Sequence, residues 1–259
     1  MKPSDLLKSN MPPIILIYGV NGCGKTALVS QLTNSYVFDF DGGMKTAATL
    51  KDKFFTARQT VTFDVFKEPN PMKPVMYHAA MKKMKEIVQQ CSERKWPYKA
   101  CIIDSLTGMC TVCQLYVQSL GDKSNPQKDP MAKMEIQNWG SLVNEVTRFL
   151  LMIQSLQVPT IVTAHVDYIE KKKPGTLNEM EITDMFPSSA TTKHGLRHVM
   201  SFFDEVWYAK AVIPGRKYIV DGKGSAILKA RTRSSFDIVD HTTLGMVELL
   251  KKIGYDYGK

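Results

Sequence analysis

The feature that most restricts this chain is an apolar run that passes directly into a glycine-rich loop. Ile14-Ile15-Leu16-Ile17-Tyr18 is followed by Gly19-Val20-Asn21-Gly22-Cys23-Gly24-Lys25-Thr26. Five apolar residues in a row leave no polar face, which predicts a strand buried on both sides, as at the centre of a parallel sheet. The loop satisfies G-x-x-x-x-G-K-[ST] in full. Its glycines let the backbone curl until successive N–H groups point at one centre, a geometry that suits phosphate oxygens. A helix predicted from Lys25 to about Thr33 adds its positive end. Gly19, Asn21, Gly22, Cys23 and Gly24 are then expected to cradle phosphates, with Lys25 on the β- and γ-phosphates and the Thr26 hydroxyl on Mg²⁺. The strand before and the helix after supply the context such a loop requires.

The rest of the chain alternates strand and helix, which predicts an α/β fold with a mostly parallel sheet covered on both faces. Tyr36–Phe40, Ala100–Asp104 and Pro159–His165 read as strands, with a weaker one near Thr60–Phe66. Met76–Arg94, the stretch after Asp104 to about Leu120, and Met131–Leu156 carry helical spacing, separated by a polar loop at Gly121–Pro130. Val166–His198 is polar, contains Pro174-Gly175 and Pro187-Ser188-Ser189, and shows no sustained period, so it is expected to be a long irregular loop. Glu205–Val212 and Tyr218–Arg231 read as C-terminal antiparallel strands with turns at Pro214-Gly215 and Asp221-Gly222. Leu244–Ile253 reads as a short helix. The organisation expected is one domain over residues 1–259, with a core of about 14–236, a mobile loop at 166–198 and an extension at 237–259.

Composition excludes several classes. No apolar run approaches the roughly 18 to 20 residues of a membrane helix. The N-terminus, MKPSDLLKSNMPP, lacks the apolar centre of a signal peptide, so a cytoplasmic location is expected. Five cysteines without regular spacing are not a disulfide framework. Cys110 and Cys113 form a CxxC with no second ligand pair, which predicts helix packing rather than zinc. Net charge is +9, and Val206–Arg233 alone holds seven basic residues against one acid. A basic stretch of this kind is either a solvated face or a surface for polyanions.

Catalytic candidates fall at strand ends. Asp104 ends the strand ACIID and is expected to organise Mg²⁺, or else to cap the next helix. The second strand ends in Asp39-Phe40-Asp41-Gly42-Gly43. Asp41, furthest out, is the candidate base for the attacking water; its alternative role is a turn aspartate holding the Gly-Gly bend. Asp39-Phe40-Asp41-Gly42 also matches D-x-x-G, but no N-K-x-D segment accompanies it. Thr163 and His165 end the strand PTIVTAH, and His165 is the candidate γ-phosphate sensor. His194 and His198 read as surface residues. Leu228-Lys229-Ala230-Arg231-Thr232-Arg233 places three cations on alternate positions. They are expected on the nucleotide of a neighbouring subunit, on a nucleic-acid backbone, or on a plain polar face.

In order, IYGVNGCGKT, FDFDGG, CIIDSLTG and IVTAH resemble the RecA-like branch of P-loop ATPases. Within it, the chain resembles compact phage-type ATP-binding proteins related to phage recombinases and Sak-type single-strand annealing proteins. The resemblance covers roughly Ile14 to Phe236. It implies ATP and Mg²⁺ as ligands, Asp41 at the catalytic carboxylate position and His165 at the polar sensor position. Arg231 and Arg233 fall at positions that reach across a subunit interface, and Val166–Arg197 at the loop used on single-stranded DNA. The implied function is an ATPase of phage recombination, annealing or replication, in the host cytoplasm, assembled as a ring or filament with phage recombination or replication proteins. The family commonly carries Glu where this chain has Asp41, one methylene shorter, which leaves a nucleotide-dependent adaptor or loader with little hydrolysis as the alternative. A P-loop kinase fits less well, because no Arg-dense lid precedes the last strands.

Overall fold

The structure is a computed structural model of the 259-residue chain. It describes residues 12–45, 61–120, 129–131, 133–172, 179–189, 199–212, 217–233, 239–241 and 245–258. The strands are β1 (Ile14–Gly19), β2 (Ser35–Asp39), β3 (Val61–Val65), β4 (Ala100–Asp104), β5 (Thr160–Lys172), β6 (Met180–Pro187), β7 (Glu205–Val212), β8 (Lys217–Asp221) and β9 (Val239–His241). The helices are α1 (Lys25–Val29), α2 (Met76–Ser92), α3 (Leu106–Ser119), α4 (Ile136–Gln154) and α5 (Met246–Lys252).

One mixed sheet runs β3-β2-β4-β5-β1-β7-β8-β9, with β6 attached to β5. The first six strands in that order are parallel, and β8 and β9 add on antiparallel. The apolar run predicted as central is central: β1 lies between β5 and β7, and Ile15 to Tyr18 are wholly buried.

Alternation along the strands divides the interior into two layers. Leu16, Tyr18, Phe38 and Ile103 face α2, α3 and α4, where Met84, Met109, Cys113, Val146 and Phe149 complete the layer. Ile15, Ile17, Val37 and Ile102 face the other way, toward Leu28, Val29, Met246, Leu249 and Leu250 of α1 and α5. On α4, Leu142, Val146, Phe149, Leu150 and Ile153 form the i, i+4, i+7 stripe that seats it. All five cysteines are free and buried, and Cys110 and Cys113 pack inside α3 as expected. Among the described residues no helix is long and apolar enough to cross a membrane.

Three expectations need correction. Residues 166–198 are not wholly irregular: β5 continues to Lys172 and returns as β6, in register from Val166↔Pro187 to Lys172↔Met180 with one bulge at Ile169/Glu170. The pairing comes from main-chain hydrogen bonds between polar strands, which leave no strong hydrophobic period to read. Tyr18 donates its hydroxyl proton toward the carbonyls of Met185 (3.3 Å) and Lys229 (3.1 Å), so this arm folds over β1.

The strand expected over Tyr218–Arg231 stops at Asp221. Beyond it the chain turns through Gly224, at φ +70, and forms no further strand before 233, meeting the sheet through isolated bridges at Leu228 and Arg231 and through side-chain contacts. Helix α1 covers Lys25–Val29 and not Lys25–Thr33. The turn at Pro214-Gly215, most of the 121–130 loop, His194 and His198 lie outside the described residues.

Gly19 closes β1 against β7. An added Cβ would lie 2.0 Å from the Ala209 carbonyl oxygen, a main-chain atom that cannot swing aside. Gly19→Ala is therefore expected to destabilise the chain by about 1–3 kcal/mol through overpacking. Chemical denaturation checks this, and an unchanged midpoint would refute it.

Candidate active site

Parallel register brings the ends of four strands to one sheet edge. Gly19 pairs with His165 and Asp39 with Asp104, while Ile103↔Val162 sets Asp104 beside Thr163. The phosphate loop leaves β1 at this edge. Gly22 and Gly24 adopt φ of +76 and +86, the left-handed conformation that favours glycine. Gly24 caps α1 without a side chain, so no side chain takes the N–H groups of the first turn.

Lys25 is buried. Its ammonium donates to the carbonyls of Gly19 (2.9 Å) and Val20 (3.0 Å) and lies 3.7 Å from Cys23 Sγ.

Thr26 and Asp104, residues 78 apart in sequence, meet here. The Thr26 hydroxyl donates to Asp104 Oδ2 at 2.8 Å, and Thr163 donates to Asp104 Oδ1. Burial pushes the Asp104 carboxyl above its ordinary value, the two threonine hydrogen bonds pull it back, and Asp41 and Asp39 push it up again. The site thus concentrates negative charge that a cation would relieve. Gly43 leaves the flank open, since a Cβ there would stand 3.1 Å from Asp104 Oδ2 and 3.3 Å from Thr26 Oγ1. Among the described residues no set of three His, Cys, Asp or Glu side chains could hold a metal alone. Two oxygen ligands beside a phosphate loop fit Mg²⁺, which takes few protein ligands and completes its shell with phosphates and water.

The two aspartates after β2 separate in role. Asp39 is buried and accepts from the N–H groups of Gly42 (2.7 Å), Gly43 (3.0 Å) and Met44 (3.1 Å), so Asp39 holds the Gly-Gly bend. Asp41 is left with its carboxylate partly exposed, 3.5 Å from His165 Nε2. Burial raises the Asp41 carboxyl, but hydrogen bonds from His165 and Ser105 and the charges of His165 and Lys25 outweigh it and hold the group below its ordinary value. His165 Nδ1 is buried with no hydrogen-bond partner among the described residues.

Sequence reasoning missed the first turn of α3. Ser105 caps the helix, its hydroxyl oxygen accepting from Gly108 N–H at 3.0 Å, and it also bonds Asp41. Thr107 closes a ring of hydrogen bonds at the root of the β5–β6 arm. The His165 N–H donates to the Thr107 hydroxyl (3.0 Å), the Thr107 hydroxyl donates to the Ser188 carbonyl (2.7 Å), and the Ser188 N–H donates to the His165 carbonyl (2.7 Å). The signal for it was the pair of hydroxyl residues Ser105 and Thr107, either side of a core leucine, after a buried strand.

The basic cluster does not join this site. Arg231 exchanges both main-chain hydrogen bonds with Val206, which pairs with Leu16, three rungs or roughly 10 Å from Gly19 toward the other end of β1. Its guanidinium donates to the carbonyls of Met200 (2.6 Å) and Phe203 (2.7 Å). Arg233 pairs with Asp204 (2.8 Å), and Lys229 with Asp184 (2.8 Å). The expected three-cation clamp is thus engaged within its own chain, because residues 222–231 form turns rather than one alternating strand.

A family model for the AAA domain matches residues 11–235. No curated protein matches the chain. The model spans the phosphate loop, the Thr26–Asp104 pair and the Asp41–His165 pair. The chain belongs to the AAA domain family, the nucleotide-binding P-loop ATPases.

Proposed function

We propose that this chain hydrolyses ATP with Mg²⁺ as a RecA-like ATPase of phage type, working on single-stranded DNA as a ring or filament in recombination, annealing or replication. The hydrolytic part rests on one observation: Lys25, Thr26 with Asp104, and Asp41 with His165 converge on one sheet edge. Water attacks the γ-phosphorus and passes its proton to the Asp41 carboxylate. The bond from that phosphorus to the bridging oxygen breaks, and the oxygen leaves on ADP. Asp41 can take the proton because its carboxylate is ionised at neutral pH and held in place by His165 and Ser105. Lys25 stabilises the charge that develops on the phosphates. Thr26 and Asp104 would hold Mg²⁺, which would supply further neutralisation of the phosphates.

The DNA part is supported by the arm. β5 and β6 spring from His165, and the arm carries exposed Lys171 and Lys172 together with Glu170, Glu179 and Glu181. The ring of hydrogen bonds around Thr107 offers a route by which the state of the γ-phosphate reaches it. Arg233 is the exposed member of the basic cluster and the one able to meet a neighbour, once its pair with Asp204 opens. On this reading residues 1–259 act as one domain.

Phosphate release with and without a single-stranded oligonucleotide, on wild type and Asp41→Asn, tests the proposal. DNA-stimulated turnover that falls about 10²–10⁴-fold in the variant supports it. Turnover indifferent to DNA removes the DNA part and leaves the ATPase. ATP binding without turnover in the wild type selects the adaptor or loader instead. Sedimentation as a monomer, with and without a non-hydrolysable ATP analogue, removes the ring or filament.

A further inference from the structure

We propose that Gly108 is a positioning residue for hydrolysis: it must be glycine because the Asp41 carboxylate occupies the space that a Cβ would fill. The inference rests on reading Asp41 as the group that takes the proton.

Gly108 is the third residue of α3, and its φ is not positive, so its backbone does not demand glycine. Glycine is also the weaker helix former at such a position. A local choice that opposes its own element points to a requirement from elsewhere in the fold. Here an ideal Cβ would stand 2.3 Å from Asp41 Oδ1, 3.3 Å from Asp41 Cγ and 2.9 Å from Phe40 Cβ. Real Cβ atoms do not approach so closely, so one neighbour has to move.

Phe40 cannot move cheaply. It is buried and packs its ring against Phe38, Phe66 and Phe149. The free end is the Asp41 side chain. Swinging away from α3, it gives up the contact with His165 Nε2 at 3.5 Å and the hydrogen bond to Ser105. Ser105 still caps the helix through Gly108 N–H. The carboxylate therefore takes the largest displacement, the 2.9 Å approach to Phe40 Cβ adds a modest cost in stability, and Lys25, Thr26 and Asp104 keep their places.

The test is Gly108→Ala, alone and combined with Asp41→Asn, in the full chain. Affinity for a fluorescent ATP analogue is expected to match wild type and the melt to stay cooperative at a modestly lower Tm, while kcat falls about a hundredfold with KM nearly unchanged. Because Gly108 acts through Asp41, the double variant is expected to be no slower than Asp41→Asn alone. Wild-type turnover in Gly108→Ala, beside an inactive Asp41→Asn, overturns the role of Gly108 and spares that of Asp41. Losses that multiply in the double variant also overturn it, as does a Gly108→Ala that loses nucleotide affinity or its cooperative melt. An Asp41→Asn as active as wild type brings down both readings together.

Discussion

Lys25→Ala is expected to cut turnover by about 10²–10³-fold, to weaken nucleotide binding, and to leave the fold intact. The ammonium is buried, yet its hydrogen bonds go to two carbonyls of its own loop and a thiol, with no carboxylate among them. A buried cation held only by neutral acceptors keeps its charge available for an anion. Alanine removes that charge from the centre of the loop without opening a contact to α2, α3 or α4. Phosphate release measures the first effect, titration with a fluorescent nucleotide the second, and circular dichroism the third. Turnover at the wild-type rate would refute the assignment of this loop as the phosphate site.

Asp104→Asn is expected to abolish magnesium-dependent turnover while making the metal-free protein more stable. Burial raises the Asp104 carboxyl, with Asp41 and Asp39 adding to the effect, so the ionised form is the strained one. Asparagine keeps both hydrogen bonds: its carbonyl accepts from Thr163, and its amide donates to the Thr26 hydroxyl oxygen. The charge disappears and the shape remains. Functional sites often hold such strain, and relieving it is worth on the order of 1 kcal/mol. In a chain of this size that raises Tm by about 2–4 °C.

The pH dependence follows the sign of the shift. A carboxyl raised in the folded state binds its proton more tightly there than in the unfolded chain. Its contribution to stability is present below the unfolded value and is lost as pH rises through the raised folded value. The advantage of Asp104→Asn over wild type should therefore shrink as pH falls through that window. Melting in chelator, with and without added Mg²⁺, checks both parts. An Asp104→Asn that melts below wild type in chelator would refute the strain argument.

Much of this was legible locally. The strand Ile14–Tyr18 and the loop after it follow from side-chain pattern and glycine conformation, which need no distant partner. The buried parallel parts of β2, β4 and β5 were also readable, because such strands stand out as apolar runs that finish in polar residues, although β5 was expected to stop at His165 and runs on to Lys172. The β5–β6 arm was not, since two polar strands pair through the main chain and display no period. Nor was the division between Asp39 and Asp41. Alternation puts both on one side of a strand, but β2 ends at Asp39, and the Gly42 and Gly43 N–H groups turn back onto it.

What the sequence by itself determined is the GVNGCGKT loop after its buried strand, and with it the ability to hold a polyphosphate. The tertiary structure decided which side chains complete that loop. Thr26 meets Asp104, and Asp41 meets both His165 and the bare Cα of Gly108, only because parallel register aligns strand ends far apart in the chain. The same register carries Arg231 and Arg233 toward the opposite end of β1. Residue type sets what a side chain can do, and register sets which partners it finds.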